Sequence, residues 1–212
     1  MKIAVIGLPR TGTTKLCSTL ASMFAVQNLN EILKSGQPRQ LGINRIDALH
    51  YTSSFVVKFL SSLQSVHRIP ANVIKWQQLD LVVFTARDPL DAAVSHAVGK
   101  VTKQWINTPT SNWKIEPVEA NILTLRTWIE NEYVPLISFQ NIISELHQKP
   151  IPTFTYDEIC NDAILHSKIE ALGFPVVNHS PVIGTIPTEK NYKELCINYD
   201  EVKDTLKQFG IV

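Results

Sequence analysis

Near the start of the chain, Gly7-Leu8-Pro9-Arg10-Thr11-Gly12-Thr13-Thr14 combines two glycines in G-x-x-x-x-G spacing with one cation and a cluster of threonines. Residues of these types bind oxyanions. Glycine lets the main chain approach a ligand, threonine hydroxyls donate to it, and the unpaired N–H groups opening a following helix add partial positive charge. Nucleoside-triphosphate hydrolases need lysine at the position held here by Thr13, because that ammonium reaches the β- and γ-phosphates. It is absent, and the cation within the loop is Arg10, three positions earlier. The spacing alone fits an ordinary βα turn as well as an anion cradle; the arginine and the paired threonines favour the cradle. Lys15 reads as a contributor to it or as a solvated residue of the first helical turn.

Such a loop works only where a strand and a helix hold it. Lys2 to Ile6 is a short apolar run ended by Gly7, as expected of a strand buried on both faces of a parallel sheet. From Thr13 the spacing of Leu16, Leu20, Met23 and Phe24 predicts a helix. Further strands are expected over 54–59, 79–86 and 152–156. Helices are expected from Asp88 to about Val98, across 117–147 with an interruption near Pro135, over 157–172 ending at Gly173, and over 199–209. The segments 28–44 and 177–192 read as connections. Strands alternate with helices, so the expected fold is α/β: a single doubly wound parallel β-sheet flanked by helices, P-loop-like, in one domain spanning residues 1–212.

A second basic position lies at the end of the third strand. Leu81-Val82-Val83-Phe84-Thr85-Ala86 runs into Arg87, where a Mg²⁺-dependent hydrolase would carry aspartate. A guanidinium cannot hold a metal but binds phosphate bidentately. Asp88 reads as a helix cap rather than a metal ligand, followed by the first-turn proline Pro89. Ser95 follows eight residues after Arg87, within that helix.

Together, Pro9 to Thr14 and Arg87 to Ser95 resemble the two signature motifs of the sulfotransferases that use 3′-phosphoadenosine-5′-phosphosulfate. A third similarity joins Pro152-Thr153-Phe154-Thr155-Tyr156-Asp157-Glu158-Ile159 and Ile169 to Phe174 to that family's strand ending in Tyr-Glu-Asp-Leu and its following helix. The resemblance covers about residues 3 to 175, in order. It implies a 5′-phosphosulfate held by Arg10, Thr11, Gly12, Thr13, Thr14 and Lys15, and a 3′-phosphate held by Arg87 and Ser95. Tyr156 would lie near the adenine, and Lys58 is a further candidate contact. The product would be 3′,5′-adenosine bisphosphate, with no metal required. A sulfuryl group carries less negative charge than a phosphoryl group, which accounts for the missing lysine. Arg10 would stabilise the departing phosphate oxygen as a fixed charge, its pKa being too high for proton donation.

Transfer also needs a base. Many cytosolic members use a histidine two residues after a lysine; here Lys58 is followed at that distance by Leu60. By resemblance to the protein-tyrosine branch, Glu31 stands at a matching separation from Arg10 and is suited to general-base work. His50 and His67 are alternatives without an identifiable partner. After Gly173 there is no tryptophan, so the Gly-rich Trp-Lys segment that closes the family's 3′-phosphate site is missing, and Lys190 is the candidate substitute. The competing readings are a P-loop small-metabolite kinase and a non-catalytic nucleotide-binding protein.

Composition sets the remaining bounds. The chain has 212 residues, 44% hydrophobic and 18% charged, with a formal charge of +1, which excludes a disordered chain and a polyanion-coating surface. The expected acceptor is a small molecule, glycan or peptide, with no nucleic acid and no membrane partner. Cys17, Cys160 and Cys196 have no metal-ligand spacing and read as reduced thiols of a soluble, cytoplasmic protein.

Overall fold

A computed structural model describes residues 1–30, 53–60, 78–103, 116–178 and 191–212. Its centre is a five-stranded, fully parallel sheet: β1 (Lys2–Gly7), β2 (Gln27–Asn30), β3 (Phe55–Leu60), β4 (Leu81–Ala86) and β5 (Thr153–Thr155), in the order β2-β3-β1-β4-β5. Side chains alternate along each strand, so the three central strands β1, β3 and β4 each feed two cores. Ala4, Ile6, Val57, Phe59, Val82 and Phe84 pack to one side. Ile3, Val5, Val56, Leu81, Val83 and Phe154 pack to the other. Both faces being covered, the three central strands β1, β3 and β4 are largely apolar runs rather than alternating ones.

The second face is covered by α1 (Thr13–Met23), through Leu16, Cys17, Leu20 and Met23, and by two helices that follow β5. The first face carries α2 (Pro89–Thr102), α3 (Ile122–Trp128), α4 (Val134–His147) and α8 (Tyr199–Gln208). The doubly wound parallel sheet read from the sequence is the fold observed. Among the described residues, no helix is long and apolar enough to cross a membrane.

Several element boundaries differ from expectation, each for a local reason. Residues 28–30, read as the start of a connection, belong to an edge strand, Gln27–Asn30, that pairs with β3 despite its polar sequence, because backbone bonds alone secure an edge. The helix expected over 157–172 is two helices, α5 (Tyr156–Cys160) and α6 (Asp162–Ala171). Asn161 separates them in an extended conformation, its side chain capping α6 through Ile164 N at 3.2 Å. Near Pro135 the chain does not break: residues Ile129–Tyr133 form a π-turn in which the Val134 N–H donates to Ile129 O. Proline has no N–H to continue the α-ladder, and the wider turn absorbs that loss. Finally, α7 (Tyr192–Leu195) closes a stretch read as surface loop, and Tyr192 is buried in the first core.

This topology positions the site. β1 leads through α1 toward the β2 edge, whereas β4 leads through α2 toward β5 at the opposite edge. The connections diverge at neighbouring strands, opening a crevice beyond the C-terminal ends of β1 and β4. The loop of residues 7–14 and Arg87 both lie there.

Candidate anion-binding site

The loop is fixed to its neighbour before any ligand is considered. Thr11 Oγ1 donates to Leu8 O at 2.8 Å, so its only proton is committed. In the 2.6 Å contact between Thr11 Oγ1 and Thr85 Oγ1 the donor is therefore Thr85. A Cβ at Gly7 would collide with Thr85 Oγ1 and lie 2.9 Å from Thr13 Cγ2. Glycine is needed here for close approach. Thr11, expected to offer its hydroxyl to an anion, instead uses it to tie β1 to β4.

Gly12 has φ 83° and is the N-cap residue of α1, with no side-chain cap and no acid in the first turn. Gly12 therefore offers the first N–H groups of α1 no side-chain acceptor. A Cβ on Gly12 would meet Ile159 and Tyr156 at 3.3 Å, so the left-handed backbone and the contact with α5 both select glycine. Arg10 is also left-handed, at φ 75°. For a residue with a Cβ this costs on the order of 1 kcal/mol, which the surrounding bonds must offset. Lys58, inside β3 and only 8% exposed, donates from Nζ to Thr14 Oγ1 at 3.0 Å and brings an ammonium to the mouth of the loop. Lys15 is neither solvated nor part of this group: its Nζ lies 3.4 Å from Cys160 O and 3.4 Å from Asp162 Oδ1, at the α5–α6 junction.

Arg87 is the first residue beyond β4 and Asp88 the N-cap of α2, its Oδ1 accepting from Leu90 N at 2.9 Å and Asp91 N at 3.1 Å. That cap accounts for the aspartate as the sequence reading expected. Arg87 Nη1 donates to Arg10 O at 3.0 Å and Nη2 to the Tyr192 hydroxyl at 2.8 Å. The guanidinium lies between two aromatic rings, 3.9 Å from the Tyr156 centroid and 4.8 Å from that of Tyr192. Its Nε is buried and donates to no described atom. Among the described residues Arg87 makes no ion pair.

Ser95 lies two turns into α2, buried, and its Oγ accepts from Arg10 Nε at 2.9 Å. Arg10, Arg87 and Ser95 thus form one contiguous group at the C-terminal edge of the sheet. The Arg10 guanidinium, expected at the far end of the site from Ser95, is turned onto it. Burial is the main cause lowering the Arg10 pKa, and Arg87 adds to it while the Tyr192 and Tyr156 phenols oppose. The group stays charged at neutral pH, so two guanidinium groups face the crevice together.

The neighbouring His96 stacks on Trp128 with centroids 5.4 Å apart. Burial first, then Lys100 and Arg10, lowers its pKa to about 4, making it a neutral packing residue at pH 7. Glu31, His50, His67 and Lys190 lie outside the described residues. Two members of the site were not anticipated. Thr85 was visible as a hydroxyl inside an otherwise apolar buried strand, but Tyr192 left no local signal, because its role depends on the C-terminal segment folding back over β4.

No protein-family model matches the sequence, and no curated protein matches it. Among solved structures, the crystal structure of mouse sulfotransferase SULT7A1 complexed with PAP is similar. The TM-score is 0.51 at 14% identity, over 96% of this chain and 63% of that one. This chain therefore spans a little under two thirds of the mouse protein's length. At that identity the likeness speaks to architecture: the chain has a sulfotransferase-like α/β fold.

Proposed function

We propose that this protein is a sulfotransferase, moving a sulfuryl group from 3′-phosphoadenosine-5′-phosphosulfate to a hydroxyl or amine of a small-molecule, glycan or peptide acceptor. The observation that carries this reading is Arg87. It stands at the switch point where a metal-binding acid would be needed for triphosphate chemistry, pressed between two tyrosines, with a buried Nε that donates to no described atom. A buried charged donor without an acceptor costs roughly 1–3 kcal/mol or more, and a phosphate oxygen at that position would remove the penalty. PAP, held in the structurally similar mouse enzyme, is a nucleotide of the kind proposed here.

Arg87 and Ser95 would hold the 3′-phosphate of the nucleotide, with Tyr156 beside it. The N–H groups from Thr11 to Thr14, the Thr13 and Thr14 hydroxyls and the Lys58 ammonium would receive the 5′ end. When bound, the donor supplies an electrophilic sulfur attached to a good phosphate leaving group. Arg10 would turn from Ser95 toward the leaving oxygen and stabilise its charge without transferring a proton. Glu31 is proposed as the base that takes the acceptor's proton.

Calorimetric titration tests this assignment. Binding of 3′,5′-adenosine bisphosphate should exceed that of ADP by about tenfold or more, the value of a charge-assisted phosphate contact. Arg87→Ala should abolish the preference. Equal affinities, or ATP binding that depends on Mg²⁺, would instead support a small-metabolite kinase.

A further inference from the structure

We propose that Tyr192 is an internal competitor for the 3′-phosphate: its hydroxyl occupies Arg87 in the absence of nucleotide and must be displaced for the phosphate to bind. This inference rests on the functional reading above.

A guanidinium offers paired, parallel donors along two edges, Nη1 with Nη2 and Nε with Nη2. In this protein Nη1 donates to Arg10 O and holds the loop in place. Nη2, common to both edges, donates to the Tyr192 hydroxyl at 2.8 Å. Nε is buried and donates to no described atom. Nη2 has one proton on each edge, and we place the phenol oxygen on the one beside Nε. Bidentate binding along the Nε/Nη2 edge then requires the phenol oxygen to leave that proton.

The exchange is favourable in direction. A neutral phenol supplies Arg87 with one hydrogen bond, whereas a phosphate supplies two charge-assisted bonds and satisfies Nε as well. Tyr192 opens the short helix α7, which is held at both ends: Asn191 Nδ2 donates to Glu194 Oε1 at 2.6 Å, and Val118 N donates to Leu195 O at 3.0 Å. Displacement is therefore a movement of the Tyr192 side chain with α7 in place. Tyr192 would keep the buried cation satisfied between turnovers and lower the affinity for product, and a nucleotide without a 3′-phosphate would not displace it.

The test compares wild type with Tyr192→Phe, which keeps the ring and removes the competing oxygen. The bisphosphate is expected to bind the variant more tightly, on the order of tenfold, with ADP affinity the same in both proteins. A merely structural tyrosine would weaken both nucleotides together. A bisphosphate preference in wild type that the variant leaves equal or reduces would overturn this inference alone. No preference in either protein would overturn the functional reading and this inference with it. The native side chain can be followed by ¹⁹F NMR of 3-fluorotyrosine-labelled protein, the Tyr192 signal being assigned by its loss in Tyr192→Phe or, should that variant not fold, in Tyr192→His. The signal should shift with saturating bisphosphate and not with ADP; a signal unmoved by the bisphosphate would contradict displacement.

Discussion

Gly7→Ala is a severe test of how the loop is built, because the added methyl has nowhere to go. Its carbon would collide with Thr85 Oγ1 and lie 2.9 Å from Thr13 Cγ2 and 3.0 Å from Thr11 Oγ1. Gly7 has no left-handed backbone to preserve, since it is absent from the residues of positive φ; the penalty is steric. Overpacking of this kind costs about 1–3 kcal/mol, and forcing Thr85 aside breaks its buried bond to Thr11, worth about 1 kcal/mol more. The sum is about 2–4 kcal/mol. At about 2–4 °C per kcal/mol for a chain of this size, Tm should fall by roughly 5–15 °C. Urea unfolding and calorimetry read both quantities. Thr85→Ala alone should cost about 1 kcal/mol, since Thr11 keeps its bond to Leu8 O. Combined with Gly7→Ala it should relieve the collision, leaving the double variant about 1–2 kcal/mol more stable than the sum of the single effects. A Gly7→Ala protein within about 0.5 kcal/mol of wild type, or a strictly additive double variant, would refute this picture of the loop.

Further outcomes follow from individual contacts. Lys58→Met should leave the fold intact and weaken 5′-AMP binding by about tenfold or more by titration, the value of one charge-assisted contact. Thr155→Ala removes the side chain that accepts from Glu158 N in the capping box of α5, and should cost about 1 kcal/mol in urea unfolding. His96 titrates near 4 in the folded state and near 6.5 in its ordinary state. The unfolded chain therefore takes the proton first, and stability is full above pH 6.5 and lost as pH falls toward 4. By pH 4.5 this group should account for about 2–3 kcal/mol. His96→Phe should remove that part of the slope between pH 7 and 4.5; an unchanged slope would contradict the burial argument.

Much of this was legible in the sequence because the signals are local. Apolar runs as short as Ile3 to Ile6 are explained by coverage of both sheet faces, and the Asp88-Pro89 pair writes the start of α2 directly. The loop of residues 7–14 was identifiable by its glycines. What escaped depends on contacts distant in sequence. Arg10 meets Ser95 across 85 positions and Arg87 meets Tyr192 across 105, and neither pairing leaves a periodic trace. Gln27–Asn30 was missed because an edge strand can be held by backbone bonds alone, with little apolar content. Lys15 stood open between the anion loop and solvent, because helix position alone cannot reveal that the α5–α6 junction offers it a carbonyl and a carboxylate.

The central claim is that one nucleotide spans the crevice, its 3′-phosphate on Arg87 and its 5′-phosphate at the loop beside Lys58. ³¹P NMR of bound 3′,5′-adenosine bisphosphate reports the two phosphates separately. Both resonances should shift on binding, with Arg87→Lys altering the 3′ signal alone and Lys58→Met the 5′ signal alone. If neither substitution moves its assigned resonance, or if both perturb the same phosphate, the proposed orientation across the sheet's switch point is wrong.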